Sequence, residues 1–211
     1  MALLLASAAA PGVGLAQNAD SRYQTLLTAA QATGLPADKP VDWQALRFAF
    51  ADRSVFSPEA SDDEAAHARK MREDYQSGDY VNAIAEAKLV SDADFVDPEA
   101  HLIASQAYAK SGDGVGATRE RTIALGLLKS IQTGDGQSAG QAYTVIRVKE
   151  EYVLMATYGR RVARQSLQQV GGHSYDVLET IDRAGAPATF YFLIDRVLAA
   201  EANVLRLPGA K

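Results

Sequence analysis

Apolar residues recur every three or four positions through the first two thirds of the chain, a spacing typical of amphipathic helices. The first such series begins at Tyr23 and predicts a helix over residues 17–35. An aromatic-rich segment follows between Trp43 and Phe56. Because clustered aromatic side chains usually lie in a core, we expect this segment to pack beneath the helices.

Capping residues set the expected starts of the next helices. Ser61 is followed three residues later by Glu64, which is the pattern of a capping box. Asp97 precedes Pro98, and this pair is typical of an N-cap and a first helical position. The predicted helices of this region cover residues 61–76, 82–90, from 97 to about 110, and 115–131.

An internal repeat relates these helices to one another. Ser77-Gly78-Asp79 recurs as Ser111-Gly112-Asp113, and Ala83 recurs at the same offset as Ala117. This offset resembles the tetratricopeptide repeat, a helix–turn–helix unit with a period of about 34 residues. Two units are fewer than the three that usually form a stable array, so we expect another part of the chain to cap the pair.

The last third of the chain changes to the alternation and β-branched content of strands. Gly171-Gly172 separates two of the predicted strands and suits a tight hairpin turn. A short helix is predicted over Lys149–Tyr158. The tail, Arg196–Arg206, is predicted to form a short amphipathic helix or a partly frayed end. The predicted strands are Ala142–Val148, Val162–Val170, Tyr175–Asp182 and Thr189–Ile194.

These elements predict an α+β protein in which TPR-like helical hairpins precede a small, mainly antiparallel β-sheet. The expected division of the chain follows the change of pattern. It comprises a signal peptide (1–16), an N-terminal helix and aromatic segment (17–58), a TPR-like region (59–132), a sheet region (141–196) and a C-terminal tail (197–211).

The amino terminus has the pattern of a secretory signal. No charged residue occurs from Ala2 to Ala16, and Gly14-Leu15-Ala16 supplies small residues at the positions that signal peptidase reads. We therefore expect cleavage after Ala16 and a periplasmic or secreted mature protein. No later stretch has the apolar length of a membrane span.

Composition narrows the function classes. The 211 residues include 21 Lys and Arg against 26 Asp and Glu, a formal charge of −5, which disfavours nucleic-acid binding. With no cysteine, the chain has no disulfide, thiolate metal site or cysteine nucleophile. The histidines lack the spacing of a zinc motif, so neither a metal nor another cofactor is predicted.

Four residues are candidates for a catalytic site. His173 follows the glycine turn, and a carboxylate beside it would orient it as a general base. The candidate carboxylates are Asp176, Glu150 and Glu151. His173 and Asp176 point to opposite faces of one strand, so we favour a structural hydrogen bond at His173.

Several short strings in the sheet region match one family. They are Glu150-Glu151-Tyr152, Gln165-Ser166-Leu167, Gly172-His173-Ser174-Tyr175-Asp176-Val177 and Tyr191-Phe192. They resemble an uncharacterised bacterial family, the domain-of-unknown-function family numbered four-nine-one-nine. The resemblance implies an exported protein with a TPR-like helical region and a β-rich carboxyl end, and it implies no activity.

Two functions from different classes remain open. The repeat, together with the lack of a coherent catalytic set, favours a periplasmic interaction or scaffold module that binds a protein or peptide. The alternative is a small exported hydrolase that uses His173 with a nearby carboxylate. The sequence leaves the oligomeric state and the partner open.

Overall fold

The computed structural model of the protein describes residues 11–32 and 40–206, and helices account for most of this part. A single 3-10 turn, Ala139–Gln141, precedes the first strand. In chain order the elements are α1 (Pro11–Gln31), α2 (Trp43–Ala51), α3 (Asp62–Ser77), α4 (Tyr80–Ala93), α5 (Pro98–Lys110), α6 (Gly114–Ile131), β1 (Tyr143–Thr144), α7 (Val148–Thr157), β2 (Arg161–Val170), β3 (His173–Ile181), β4 (Pro187–Leu193) and α8 (Asp195–Arg206).

The capping residues start the helices as predicted. The Glu64 N–H donates to Ser61 Oγ at 3.3 Å, and the Ser61 N–H donates to Glu64 Oε2 at 2.7 Å. Asp97 accepts from the Glu99 N–H at 2.9 Å. These bonds satisfy amide groups that have no partner inside the helix, which is why such local signals mark helix starts reliably.

The aromatic-rich segment forms α2 and its flanking turns. Asp42 caps the helix by accepting from the Ala45 N–H at 2.9 Å. Leu46 and Phe50 are buried in a cluster that also contains Tyr23 of α1 and Leu127 of α6. The expected core position of the aromatic residues is therefore confirmed, and it fixes α2 against the helical repeat.

The helical repeat is visible in the backbone. Gly78 and Gly112 end α3 and α5 at the same left-handed φ of 85°. Asp79 and Asp113 then donate their N–H groups back to the carbonyls of Asp74 and Tyr108, each at 2.9 Å. The two turns therefore match although Asp74 and Tyr108 differ, and membership of the tetratricopeptide class stays a prediction.

A histidine–glutamate pair joins the helices of each hairpin. His67 Nδ1 lies 2.6 Å from Glu86 Oε2, and at the equivalent position of the second unit His101 Nδ1 lies 2.6 Å from Glu120 Oε2. His101 lies in the first turn of α5, but it is not a surface residue. Its ring is buried because the chain between α4 and α5 folds over it, and Nε2 lies 2.9 Å from the Phe95 carbonyl oxygen.

Truncating the two histidines should have unequal effects on stability. His101→Ala leaves the buried Phe95 carbonyl without this partner and is expected to lower the free energy of unfolding by about 2 kcal/mol. The His67 side chain is 41% exposed, so His67→Ala should lower the free energy of unfolding by less than about 1 kcal/mol. Urea denaturation of both variants measures the difference, and equal losses would contradict the burial argument.

The sheet has the order β1-β4-β3-β2. β2 pairs with β3, and β3 with β4, in antiparallel fashion, whereas β1 pairs with β4 in parallel. Gly171 and Gly172 form the predicted hairpin turn with φ of 61° and 86°, which residues with a side chain rarely adopt. The α+β class and the mainly antiparallel sheet are thus confirmed.

The strand predicted over Ala142–Val148 is much shorter in the structure. β1 covers only Tyr143–Thr144, and one further bond joins the Val145 N–H to the Leu193 carbonyl. The next amide, at Ile146, donates to Glu150 Oε2 at 2.9 Å instead of to a strand. The chain therefore leaves the sheet and enters α7, which Glu150 itself helps to start.

The sheet and the last helical hairpin share one core. Leu128 of α6, Leu154 of α7, Leu178 of β3 and Phe192 of β4 pack in a single buried cluster. The sheet consequently covers one end of the repeat, as the sequence predicts for a pair of units too few to stand alone.

The predicted secretory signal lies largely outside the described residues. The structure describes α1 from Pro11, and this helix continues past the expected cleavage position after Ala16. Within the described ranges, no helix combines the length and apolar character needed to cross a membrane. The predicted tail forms α8 as far as Arg206, and residues 207–211 lie outside the description.

Candidate functional site

An open groove lies between α5, α6 and α7, with a volume of about 720 Å³. Its apolar surface includes Leu125, which is 52% exposed, while Leu154 is buried at the wall that α7 supplies. The apolar side chains that line it are Leu102, Leu125, Leu128, Leu154 and Tyr158. We call this surface the α5–α7 groove.

The corresponding surface of the first hairpin is covered. Met71 and Ala87 stand one period before Ser105 and Arg121, both of which line the groove. Met71 and Ala87 are buried against Ala100 and Ala104 of α5. The groove is therefore the second unit's version of a surface that, in the first unit, carries a packed helix.

The chain beyond α6 explains why this surface is open. A third unit would begin one period after Pro98, at Gln132, but residues 132–138 form a loop. The loop is held against the sheet, because the Tyr191 N–H donates to the Gly136 carbonyl at 2.8 Å. α7 then has 10 residues against 13 in α5, and it covers only part of the exposed hairpin.

Two cations of α6 border the α5–α7 groove. Arg121 and Lys129 line it, and no carboxylate does so among the described residues. Neither cation forms a hydrogen bond or ion pair with another side chain in the described part of the chain. In a chain with a formal charge of −5, the groove is thus locally basic and apolar.

His173 has a carboxylate partner, but not a predicted one. Its Nδ1 lies 2.6 Å from Asp195 Oδ2, and Asp195 Oδ1 accepts from the Ser174 N–H at 2.8 Å. Slight burial raises the pKa of Asp195, but the hydrogen bonds with Ser174 and His173 together lower it by more, so the pKa lies below its usual value. The His173 side chain is 58% exposed at the start of β3, so the pair joins the first turn of α8 to the sheet.

Glu150 is engaged in a different part of the protein. Its Oε2 lies 2.6 Å from Arg47 Nη2, and its Oε1 accepts from Arg47 Nε at 3.0 Å. Arg47 also donates to the Thr144 carbonyl at 3.1 Å. Both side chains are buried, so this bidentate pair ties α2 to the start of α7 and is closed to a substrate.

Glu151 and Asp176, which the sequence put forward separately, meet between α7 and β3. Burial, together with the charges of Asp176 and Glu150, raises the pKa of Glu151 to about 9. Burial also raises the pKa of Asp176, against hydrogen bonds from Gln165 and Glu151 that lower it. Gln165 Nε2 donates to Asp176 Oδ2 at 2.7 Å.

Burial beside Asp176 favours the protonated form of Glu151. Neither carboxylate oxygen of Glu151 meets an N–H donor among the described residues. Protonation of Glu151 avoids a second buried charge beside Asp176 and gives Glu151 a proton to donate to it. Tyr152 OH donates to Gln165 Oε1 and so continues the chain of hydrogen bonds to the surface.

The four catalytic candidates consequently have three separate environments. His173 bonds Asp195, Glu150 bonds Arg47, and only Glu151 and Asp176 contact each other. The described residues bring together no group of three metal-ligating side chains of His, Asp or Glu. The hydrolase hypothesis therefore rests on the sequence alone.

Sequence reasoning missed the residues that border the groove. Arg121, Leu125 and Lys129 recur at intervals of four, which places them on one face of α6. That spacing is visible in the sequence, but it does not show that the face stays uncovered. The missing information is how α7 packs on the hairpin, because the length of this helix does not show which part of the face it covers.

Comparison with known protein families matches most of the chain. A family model described as a domain of unknown function matches residues 15–203. This agrees with the resemblance found in the strings of the sheet region. No curated protein and no solved structure matches the chain.

Proposed function

The chain belongs to the domain-of-unknown-function family DUF4919, and from that premise we propose that it is an exported protein-interaction module. The family brings no activity with it, so the proposal depends on the geometry of this chain. Its binding surface is the α5–α7 groove, where a partner protein packs on the second helical hairpin.

One observation carries this proposal. The position of Ala87, which α5 buries in the first hairpin, is open in the second, where the exposed Arg121 stands, although the two hairpins share their turns and their histidine–glutamate pairs. An apolar helical surface of this kind is stabilised when a partner removes it from water. Repeat proteins bind partners through such uncovered surfaces.

Export is the second part of the proposal. The uncharged run from Ala2 to Ala16, with its small residues before the expected cleavage position, supports it. The match to the family model begins at residue 15, so nearly all of this run lies ahead of the matched region, as a removable leader does. The partner is then an envelope protein.

Site-specific photo-crosslinking in intact bacterial cells tests the groove. A photo-reactive phenylalanine derivative replaces Leu125, which tolerates the change because half of its side chain is exposed. The expected result is one defined cross-linked protein in the periplasmic fraction, identified by mass spectrometry. The purified partner should then bind the wild-type protein and lose about tenfold or more in affinity with Leu125→Glu.

The matched control carries the same photo-reactive residue in place of Val115, which is 81% exposed at the first turn of α6. We expect no defined product from this position. Equal products from both positions, or none from position 125, would contradict binding in the groove. Recovery of the product only in the cytoplasmic fraction would contradict export.

A further inference from the structure

The groove-facing side of α6 presents a cation, an apolar residue and a second cation in one row. Arg121, Leu125 and Lys129 are separated by four residues each and all line the α5–α7 groove. Residues at this spacing lie one above the other on a helix, about 6 Å apart. The row therefore presents an alternating pattern to whatever occupies the groove.

We propose that the occupant is an amphipathic helix with a central apolar residue and a carboxylate one turn to either side of it. This inference rests on the proposed function and specifies the partner of the same surface. The apolar residue packs on Leu125 and the groove floor, and the two carboxylates reach Arg121 and Lys129.

The first hairpin shows why the occupant is a helix. α5 packs along α3 and α4 and buries Met71 and Ala87, the positions equivalent to Ser105 and Arg121 of the groove. Because the turns and the paired histidines repeat, the second hairpin offers the same relative arrangement of two helices. A partner helix that lies on α5 and α6 reproduces the contact that α5 makes one unit earlier.

The charges show why the occupant is acidic. When α5 docks on the first hairpin, its Glu99 accepts from Arg72 Nη1 of α3 at 2.8 Å. The chain thus already pairs a carboxylate of a docked helix with a cation of the receiving hairpin. In the groove, Arg121 and Lys129 have no such partner among the described residues, and none of the described residues that line the groove is a carboxylate.

Two stapled helical peptides test the inference. Each has 13 residues, the length of α5, and an alanine background with leucine at its centre. One peptide carries glutamate four residues before and after the leucine, and the other carries lysine at these two positions. Fluorescence anisotropy of the labelled peptides measures their affinity for the full chain and for the double variant Arg121→Glu with Lys129→Glu.

We expect the glutamate peptide to bind the wild-type protein and to lose about tenfold or more in affinity with the double variant. The lysine peptide should show the reverse preference. Replacing the central leucine of the glutamate peptide by alanine should weaken its binding to both proteins. A matched protein control, Lys88→Glu, changes an exposed cation of α4 that lies outside the groove and should leave both affinities unchanged.

Several outcomes would overturn the inference. Equal binding of the two peptides to the wild-type protein, or binding of neither, excludes an acidic helix as the occupant. If position 125 still cross-links to a defined partner in that case, the proposed function stands and only the nature of the partner is wrong. If light scattering shows a wild-type dimer that Leu125→Glu converts to a monomer, the occupant is a second copy of the chain.

Discussion

Replacing Arg47 by methionine is expected to lower the free energy of unfolding by about 3–5 kcal/mol. The Arg47 side chain is fully buried, and its guanidinium holds both carboxylate oxygens of Glu150. Methionine fills much of the same volume but leaves Glu150 as a buried charge without its cation. Urea denaturation of the full chain, monitored by circular dichroism, measures the loss.

Two further variants separate the charge from the packing. The double variant Arg47→Met with Glu150→Gln removes both charges, so it should recover about 1–2 kcal/mol of the loss. Arg69→Met changes an exposed arginine of α3 and should stay within about 0.5 kcal/mol of the wild-type value. A loss below about 1 kcal/mol for Arg47→Met would contradict the role given to the pair.

Replacing Glu151 by glutamine is expected to stabilise the protein at neutral pH by about 2–3 kcal/mol. In the native protein, the pKa of Glu151 is raised from 4.5 to about 9 by burial and by Asp176. At pH 7 the unfolded chain has therefore released a proton that the native protein retains, and this difference favours unfolding. Glutamine carries no charge in either state, and its amide donates to Asp176 as the protonated Glu151 does.

The sign of the pH dependence follows from the same shift. Below pH 4.5 Glu151 is protonated in both states, and the contribution of the group to stability is fully present. As pH rises from 4.5 towards 9, that contribution is lost at up to about 1.4 kcal/mol per pH unit. The wild-type protein should thus lose stability over this window more steeply than Glu151→Gln.

Urea denaturation of both proteins at pH 5, 7 and 8.5 measures this difference. The control Glu73→Gln changes an exposed glutamate of α3 and should keep the pH dependence of the wild-type protein. Parallel pH dependence of the wild-type protein and Glu151→Gln would contradict the raised pKa of Glu151. The comparison between the variants removes the contributions of the other ionisable groups, which are common to both.

The local elements of this fold are largely predictable from the sequence. Ser61 with Glu64, Asp97 with Pro98, and the Gly171-Gly172 turn each act through bonds or dihedral angles within a few residues. The period of the helical repeat is equally local, because it repeats the same turn. Such features depend little on what the rest of the chain does, and the structure has them where the sequence predicts them.

The tertiary structure decided the long-range pairs and the open surface. Arg47 and Glu150 are 103 residues apart, and their pairing redirects Ile146 out of the strand that its β-branched neighbours predict. His173 bonds Asp195, because the end of β4 brings α8 back to the start of β3. No periodicity in the sequence predicts these pairs, because they depend on how the helical half and the sheet pack together.

The α5–α7 groove shows most clearly which features the sequence determines and which depend on tertiary packing. The sequence alone determined that Leu125 lies between two cations on one face of α6. Whether that face is core or surface depended on how the next helix packs, and α7 covers only part of the hairpin. Periodicity specifies which side chains share a face, whereas the burial of that face depends on the elements that pack against it.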